Sequence, residues 1–285
     1  MPVKQEPLDH LSDVQRYFDE NSARFIRRGQ GGASIHRAVW GPGVKTREAA
    51  FHYVEELIRA ELCGRSEIPR VLDLGCGVGS SLLYLASSMN LMAEGITISA
   101  VQAAHAQKLV EASALTDRVR CREGNYLDLF PDLVDFDLAF AIEAFVHTPD
   151  APRFFEESAR AIRPGGKLIL CDDFLALQDR TRAPKRERRW IANFERGWHI
   201  GSLITVEQAS ELAAAAGFRF VKSSDLTPHL ELRRVRDRLV AWALQVERLV
   251  PLRSKYWMAL SGGDALQRAL VARAIRYCFV VFERL

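Results

Sequence analysis

Hydrophobic and polar positions along the chain follow two rhythms. Short, nearly continuous apolar runs recur at 70–74, 91–99, 119–123, 136–143, 168–172, 217–224 and 277–283, each of a length that suits a buried strand. Between them the apolar spacing turns helical, over 80–87, 154–162 and 206–216. Strands that alternate with helices in this way build a mainly parallel sheet covered on both faces. Two further helices are expected before the first strand. Leu11, Val14, Tyr17, Phe18, Phe25 and Ile26 recur near helical spacing over 11–26. Ala50, Tyr53, Val54, Leu57, Ile58 and Leu62 share one face of a long helix over 47–63, with Gly64 as its stop.

Three stretches break the alternation. Residues 175–204 are too long for an ordinary strand-to-helix connection. Residues 227–273 form a second insertion, with a basic amphipathic helix expected over 230–249 and Pro251 ending it. The chain therefore divides into an N-terminal helical cap (1–69), a core (70–174), a lid insertion (175–204), core continued (205–226), a helical insertion (227–273) and a last core strand (274–285). Ligands of open α/β sheets sit outside the carboxyl ends of the strands. All three extra pieces can meet there and enclose a small molecule.

The sharpest local signal is Val71-Leu72-Asp73-Leu74-Gly75-Cys76-Gly77-Val78-Gly79-Ser80. A buried strand with one acid runs into a glycine turn that opens a helix, a geometry that lets backbone N–H groups approach a ligand. The acid two residues before the first glycine suits a ligand carrying a positive group. The pattern also differs from the dinucleotide fingerprint G-x-G-x-x-G. This stretch resembles motif I of the class I S-adenosylmethionine-dependent methyltransferases. Gly95-Ile96-Thr97-Ile98-Ser99 followed by Gln102 resembles the small-molecule branch that holds tocopherol, sterol and geranyl diphosphate C-methyltransferases. The turn Arg163-Pro164-Gly165-Gly166 is common across the same family.

The resemblance implies a Rossmann-like, seven-stranded doubly wound α/β sheet with an antiparallel last strand and helical cap and lid insertions. It implies S-adenosyl-L-methionine as cofactor. The residues it assigns to the cofactor are Tyr17 in the cap, Asp73, Gly75, Cys76 and Gly77 in motif I, Thr97, Ile98 and Gln102 after the second strand, Asn125 and Tyr126 after the third, and Glu143 at the tip of the fourth. Thr97 stands where the family usually has an acid for the ribose hydroxyls.

Composition narrows the setting. The chain has 285 residues, 48% hydrophobic and 26% charged, with net charge +3. That is ordinary for a globular protein and too small a charge to argue for nucleic acid. No Asn/Asp-Pro-Pro-aromatic signature follows the fourth strand, so nucleic acid is not an expected partner. The five cysteines are dispersed without metal-ligand spacing, which suits reduced thiols in a cytoplasm and implies no resident metal. The start is polar and acidic, unlike a signal peptide, and no apolar run approaches the ~18 residues of a membrane span. The N-terminal helix is placed to exchange between subunits, so a homo-oligomer stays open.

The acceptor side is argued from chemistry. Methyl transfer from a sulfonium donor needs in-line positioning, and positioning supplies about 7–11 kcal/mol of such a barrier. A carbon acceptor leaves a carbocation, which needs aromatic faces and a base; Glu143 is the candidate base. For an oxygen or nitrogen acceptor the candidate is His147. Candidate acceptor contacts are Arg28, His36, Arg37 and Trp40 in the cap, Phe145 after the fourth strand, and Arg182, Arg186 and Trp198 in the lid. Arginines bind phosphate bidentately. The first expectation is thus C-methylation of a prenyl diphosphate or terpenoid, with Mg2+ if the acceptor is a diphosphate. The alternative is O- or N-methylation of a phenol, indole or amine.

Overall fold

A computed structural model describes residues 11–16, 18–19, 36–62, 68–234, 237 and 255–285. The helices are α1 Arg47–Phe51, α2 Tyr53–Leu62, α3 Ser80–Ser88, α4 Ala100–Ala112, α5 Ala151–Ala161, α6 Lys185–Trp198, α7 Val206–Ala215 and α8 Lys255–Val271. The strands are β1 Arg70–Leu74, β2 Met92–Thr97, β3 Val119–Glu123, β4 Phe136–Ile142, β5 Ile162–Leu175, β6 Phe218–Asp225 and β7 Ile275–Arg284. They form one sheet in the order β3-β2-β1-β4-β5-β7-β6. Strands β1 to β5 pair parallel, and β7 inserts antiparallel between β5 and β6. This is the seven-stranded sheet with an antiparallel last strand that the resemblance implies.

Strand alternation sends side chains to two separate cores. Val71, Leu138, Phe140, Ile169 and Val281 pack under α2, α3 and α4. Leu72, Ala139, Leu168, Leu170 and Val280 pack against α5 and α7, with Phe154, Phe155, Ala209 and Ala213 from those helices. Asp73 belongs by alternation to the first face, so a carboxylate is set among apolar neighbours and only 3% exposed.

Two expected helices need correction. The helix over 47–63 is broken at His52. His52 leaves helical geometry (φ −100°, ψ 8°), caps α1 by donating its N–H to Glu48 O, and stacks its ring on Tyr84 at 3.9 Å. Residues 230–234, the expected start of the second insertion's helix, are not helical, and Leu230 instead bridges to Val39. Most of 235–249 lies outside the described residues. The lid does hold a helix, α6, which packs on α8. Among the described residues no helix is long and apolar enough to cross a membrane.

Candidate active site

A cavity of about 220 Å3 opens at the carboxyl ends of β1, β2 and β4. Its floor is motif I. Gly75 adopts φ +105°, and a Cβ there would stand 2.4 Å from the Ala144 Cβ, so the turn can only be this tight with glycine. A Cβ on Gly77 would stand clear of the protein, with the Gln102 Oε1 nearest at 3.9 Å. The space above the turn is thus open for a ligand to touch backbone.

Every cofactor-side residue expected from the sequence that lies among the described residues borders this one cavity: Asp73, Gly75, Cys76, Gly77, Thr97, Ile98, Gln102, Asn125, Tyr126 and Glu143. Tyr17 lies outside the described residues. Thr97 Oγ1 donates to Gln102 Oε1 at 2.9 Å, which fixes both side chains at the end of β2. Ser99 caps α4 and donates its hydroxyl to the Asp19 carboxylate, tying the N-terminal segment to the same rim. Leu11, Val14 and Phe18 of that segment cover the cavity.

Asp73 is the test of what belongs here. Among the described residues none donates a hydrogen bond to its carboxylate, and burial pushes its pKa well above the ordinary carboxylate range. A buried acid without a partner is costly unless a ligand supplies the partner. The ammonium of an amino-acid moiety is such a ligand, so these residues fit the methionine half of S-adenosylmethionine.

Opposite lies a second polar cluster, built on a strap at 36–40. The Arg37 guanidinium grips Asp173 at 2.7 and 2.6 Å, and its Cζ sits 4.6 Å from the Tyr277 ring centroid. The Arg37 backbone N–H and the Tyr277 hydroxyl both donate to Glu143 Oε1, each at 3.0 Å. Among the described residues none donates to Glu143 Oε2. Glu143 itself has φ +51°, a strained conformation for a non-glycine residue, and its N–H donates to Cys171 O at 2.9 Å. Burial outweighs Arg37 and raises the pKa of Asp173; Asp172, buried beside it, is pushed well above the carboxylate range.

His147 borders the cavity, donates from Nδ1 to the His199 carbonyl at 3.4 Å and meets the Phe18 ring edge-on. His36 and Trp198 also border it, with Trp198 donating from Nε1 to Ala259 O at 3.0 Å. Four expected acceptor contacts do not line the cavity. Phe145 is fully buried in the other core, against Phe154 and Phe155. Trp40 is the last residue of the strap and lies off the cavity lining, its buried Nε1 without an acceptor among the described residues. Arg182 is 82% exposed and pairs with Asp179. Arg186 lies over the Trp190 ring on the outer face of α6. For Arg186 the cause is one amphipathic helix: α6 turns Phe194 and Trp198 to the cavity and its arginines to solvent, while Arg182 lies in the turn before it. Arg28 lies outside the described residues.

Sequence reasoning missed Asp172, Asp173, Tyr277 and Glu55. The first two follow the apolar run of β5 near its carboxyl end, a position where an acid is a site signal; Tyr277 and Glu55 look like core positions, and only the fold brings them against Glu143 and His36, which line the cavity.

Sheet order, glycine turn and buried acid together define a methyltransferase fold with a cofactor cavity. The chain belongs to the mycolic acid cyclopropane synthetase family, whose pattern matches residues 63–260. It is an S-adenosylmethionine-dependent methyltransferase of small molecules. An O-methyltransferase of Pyrenophora dematioidea is 31% identical over 160 residues, 56% of this chain and 58% of that protein. The (+)-O-methylkolavelool synthase of Herpetosiphon aurantiacus is 26% identical over 234 residues, 81% of this chain and 78% of that protein. The chain spans little more than half the length of the first relative and most of the second. Among solved structures, geranyl diphosphate C-methyltransferase from Streptomyces coelicolor, in complex with Mg2+, geranyl diphosphate and S-adenosyl-L-homocysteine, superposes with TM-score 0.71 at 17% identity, covering 100% of both chains. That likeness bears on the fold.

Proposed function

We propose that this enzyme methylates an uncharged, largely apolar acceptor at oxygen or carbon, with Glu143 taking the proton. The observation that carries this is the state of Arg37. It is the one arginine among the described residues that lines the cavity, and Asp173 and Glu143 already surround it. A diphosphate would have to face Asp73, Glu143, Asp172 and Asp173 and compete for Arg37 with a buried bidentate carboxylate. The arginines of α6 are turned away.

S-Adenosylmethionine, when bound, supplies an electrophilic methyl group. The chain's own residues do the rest. Asp73 accepts the donor's ammonium and the glycine turn offers backbone to its methionine half. Phe194, Trp198, Phe18 and Val14 exclude water and hold an apolar acceptor. Arg37 and Tyr277 fix Glu143 Oε1, which leaves Oε2 to receive a proton from an acceptor hydroxyl or from a methylated carbon skeleton. His147 is the second candidate on the same wall.

The relative named for geranyl diphosphate favours the other reading, C-methylation of a prenyl diphosphate with Mg2+ carried by the acceptor. A screen with labelled methyl donor separates the two. Geranyl and farnesyl diphosphates, their alcohols, phenols and indoles are each tested with and without Mg2+. Label on neutral alcohols or phenols, lost in Glu143→Gln with S-adenosylhomocysteine affinity kept, supports the proposal. Label only on carbon of a diphosphate refutes it.

A further inference from the structure

The strap that carries Arg37 is held at its other end by a buried polar group that no part of the chemistry above uses. His36 Nε2 lies 2.7 Å from Glu55 Oε1, and Ser81 donates its hydroxyl to the same oxygen at 2.9 Å. Glu55 sits on α2, fully buried, with its Oε2 lacking a hydrogen-bond partner among the described residues. His36 and Ser81 both border the cavity; Glu55 does not. Ser81 is in the first turn of α3, directly after motif I. One carboxylate therefore joins the strap to the helix that the cofactor's glycine turn opens. One residue on, the strap's N–H and guanidinium join Glu143 and Asp173.

A fully buried carboxylate is costly and persists only where it is paired and hydrogen-bonded. Hydrophobic residues of that helix would fill the same space at no such cost, since Val54, Ile58 and Leu62 do so on either side. The acid at 55 makes sense if its product, a fixed and charged His36 on the cavity wall, matters. The groups that face His36 come from several elements: Glu55 from α2, His52 before it at 3.9 Å from Glu55 Oε1, Ser81 from α3, Asp73 from β1, Glu143 after β4, and Arg37 beside it. Burial alone lowers the His36 pKa. Glu55, and less strongly Glu143, overcome it and bring it to about 9, while His36 brings Glu55 down to about 2 against its own burial.

We infer that Glu55 is a positioning residue of the cofactor site: acting through His36 and Ser81, it sets the strap against the motif I helix so that both walls of the cavity are in register for S-adenosylmethionine. The inference rests on the cofactor binding in this cavity. His36 is the member that meets the cavity; Glu55 acts only through it.

The test is the affinity of S-adenosylhomocysteine by calorimetry from pH 6 to 10, for wild type, Glu55→Gln and Ser81→Ala. The His36 pKa is raised, so its pairing with Glu55 is complete at pH 6 and is lost as pH rises through about 9. The wild type should weaken by about ten-fold across that limb. The ligand's own amino group also titrates on the alkaline side, so the comparison with variants decides. Glu55→Gln should move the midpoint down by more than about one pH unit, because burial then acts on His36 unopposed by Glu55. Ser81→Ala should leave the midpoint in place. The imidazole Cε1–H resonance that disappears in His36→Gln should report the same shift. A role in folding alone would lower the melting temperature of Glu55→Gln and leave the midpoint where it was, and that result overturns the inference. If Glu55→Gln does not fold, His36→Gln takes its place and should lack the His36 limb; a full wild-type limb in that variant also overturns it. A wild type that does not bind S-adenosylhomocysteine overturns the cofactor site itself, and the inference with it.

Discussion

The pair of Arg37 and Asp173 holds together the cavity wall proposed for the acceptor, and Arg37→Gln tests this most directly. Asp173 is 1% exposed at its side chain and Arg37 20%, with two hydrogen bonds of 2.7 and 2.6 Å between them. Removing one partner of such a pair leaves an uncompensated buried charge, which costs about 3–5 kcal/mol. For a chain of this size about 1 kcal/mol moves the melting temperature by roughly 2 °C, so the variant should melt about 6–10 °C lower near pH 8. The pH dependence gives a second check. Burial already raises the Asp173 pKa, and losing Arg37 raises it further. A carboxyl whose folded pKa lies above its unfolded value binds more protons folded than unfolded, so stability falls as pH rises between the two. The deficit of Arg37→Gln should therefore shrink as pH is lowered toward 5. Adding Asp173→Asn removes the stranded charge and should recover more than half of the loss. The assay is thermal denaturation of the cofactor-free protein, wild type, both single variants and the double, at pH 5 and 8. A loss below about 2 °C at pH 8, or a double variant no better than Arg37→Gln, would refute the view that this pair consumes the arginine and keeps it from an anionic acceptor.

Other consequences are simpler to state. Asp73→Asn should weaken S-adenosylhomocysteine binding by about ten-fold or more, while the cofactor-free protein melts no lower than wild type, because a buried acid with no hydrogen-bond donor among the described residues is removed; calorimetry and a melt without ligand check the two halves. Arg182→Ala and Arg186→Ala should leave turnover of any acceptor within about two-fold, since both side chains lie outside the cavity; a large loss on a diphosphate acceptor would place them back in the site. Gly197→Ala should destabilise by about 1–3 kcal/mol, since its Cβ would stand 2.7 Å from the Gly262 Cα and the Met258 carbonyl oxygen where α6 crosses α8; a raised KM for the acceptor with unchanged S-adenosylhomocysteine affinity would show that this crossing sets the position of Phe194 and Trp198.

That the residues assigned to the cofactor gather at one cavity was legible in the sequence because they are local. Asp73, Gly75 and Gly77 fall within one turn, and Thr97, Ile98 and Gln102 within another. A parallel sheet puts the carboxyl ends of β1 and β2 side by side, so local motifs become neighbours without further information. The half proposed for the acceptor is different in kind. Arg37, Glu143, Asp173 and Tyr277 come from four distant points, and β7 reaches the sheet only after every other strand. Whether an arginine near a cavity is free for a phosphate or already taken is decided by a partner more than a hundred residues away, and no spacing rule carries that. On α6 the arginines and aromatics are intermixed in sequence and separated by which face the helix buries. For the lid, helical periodicity makes the separation: Ile191, Phe194 and Trp198 form the inward stripe, and Arg186 and Arg189 fall off it. For this cavity the proposed substrate class is then a question of pairing more than of composition. A cation count over cap and lid points to a diphosphate. The same cations, followed to their partners where the structure describes them, leave a cavity whose charged groups are mainly acids.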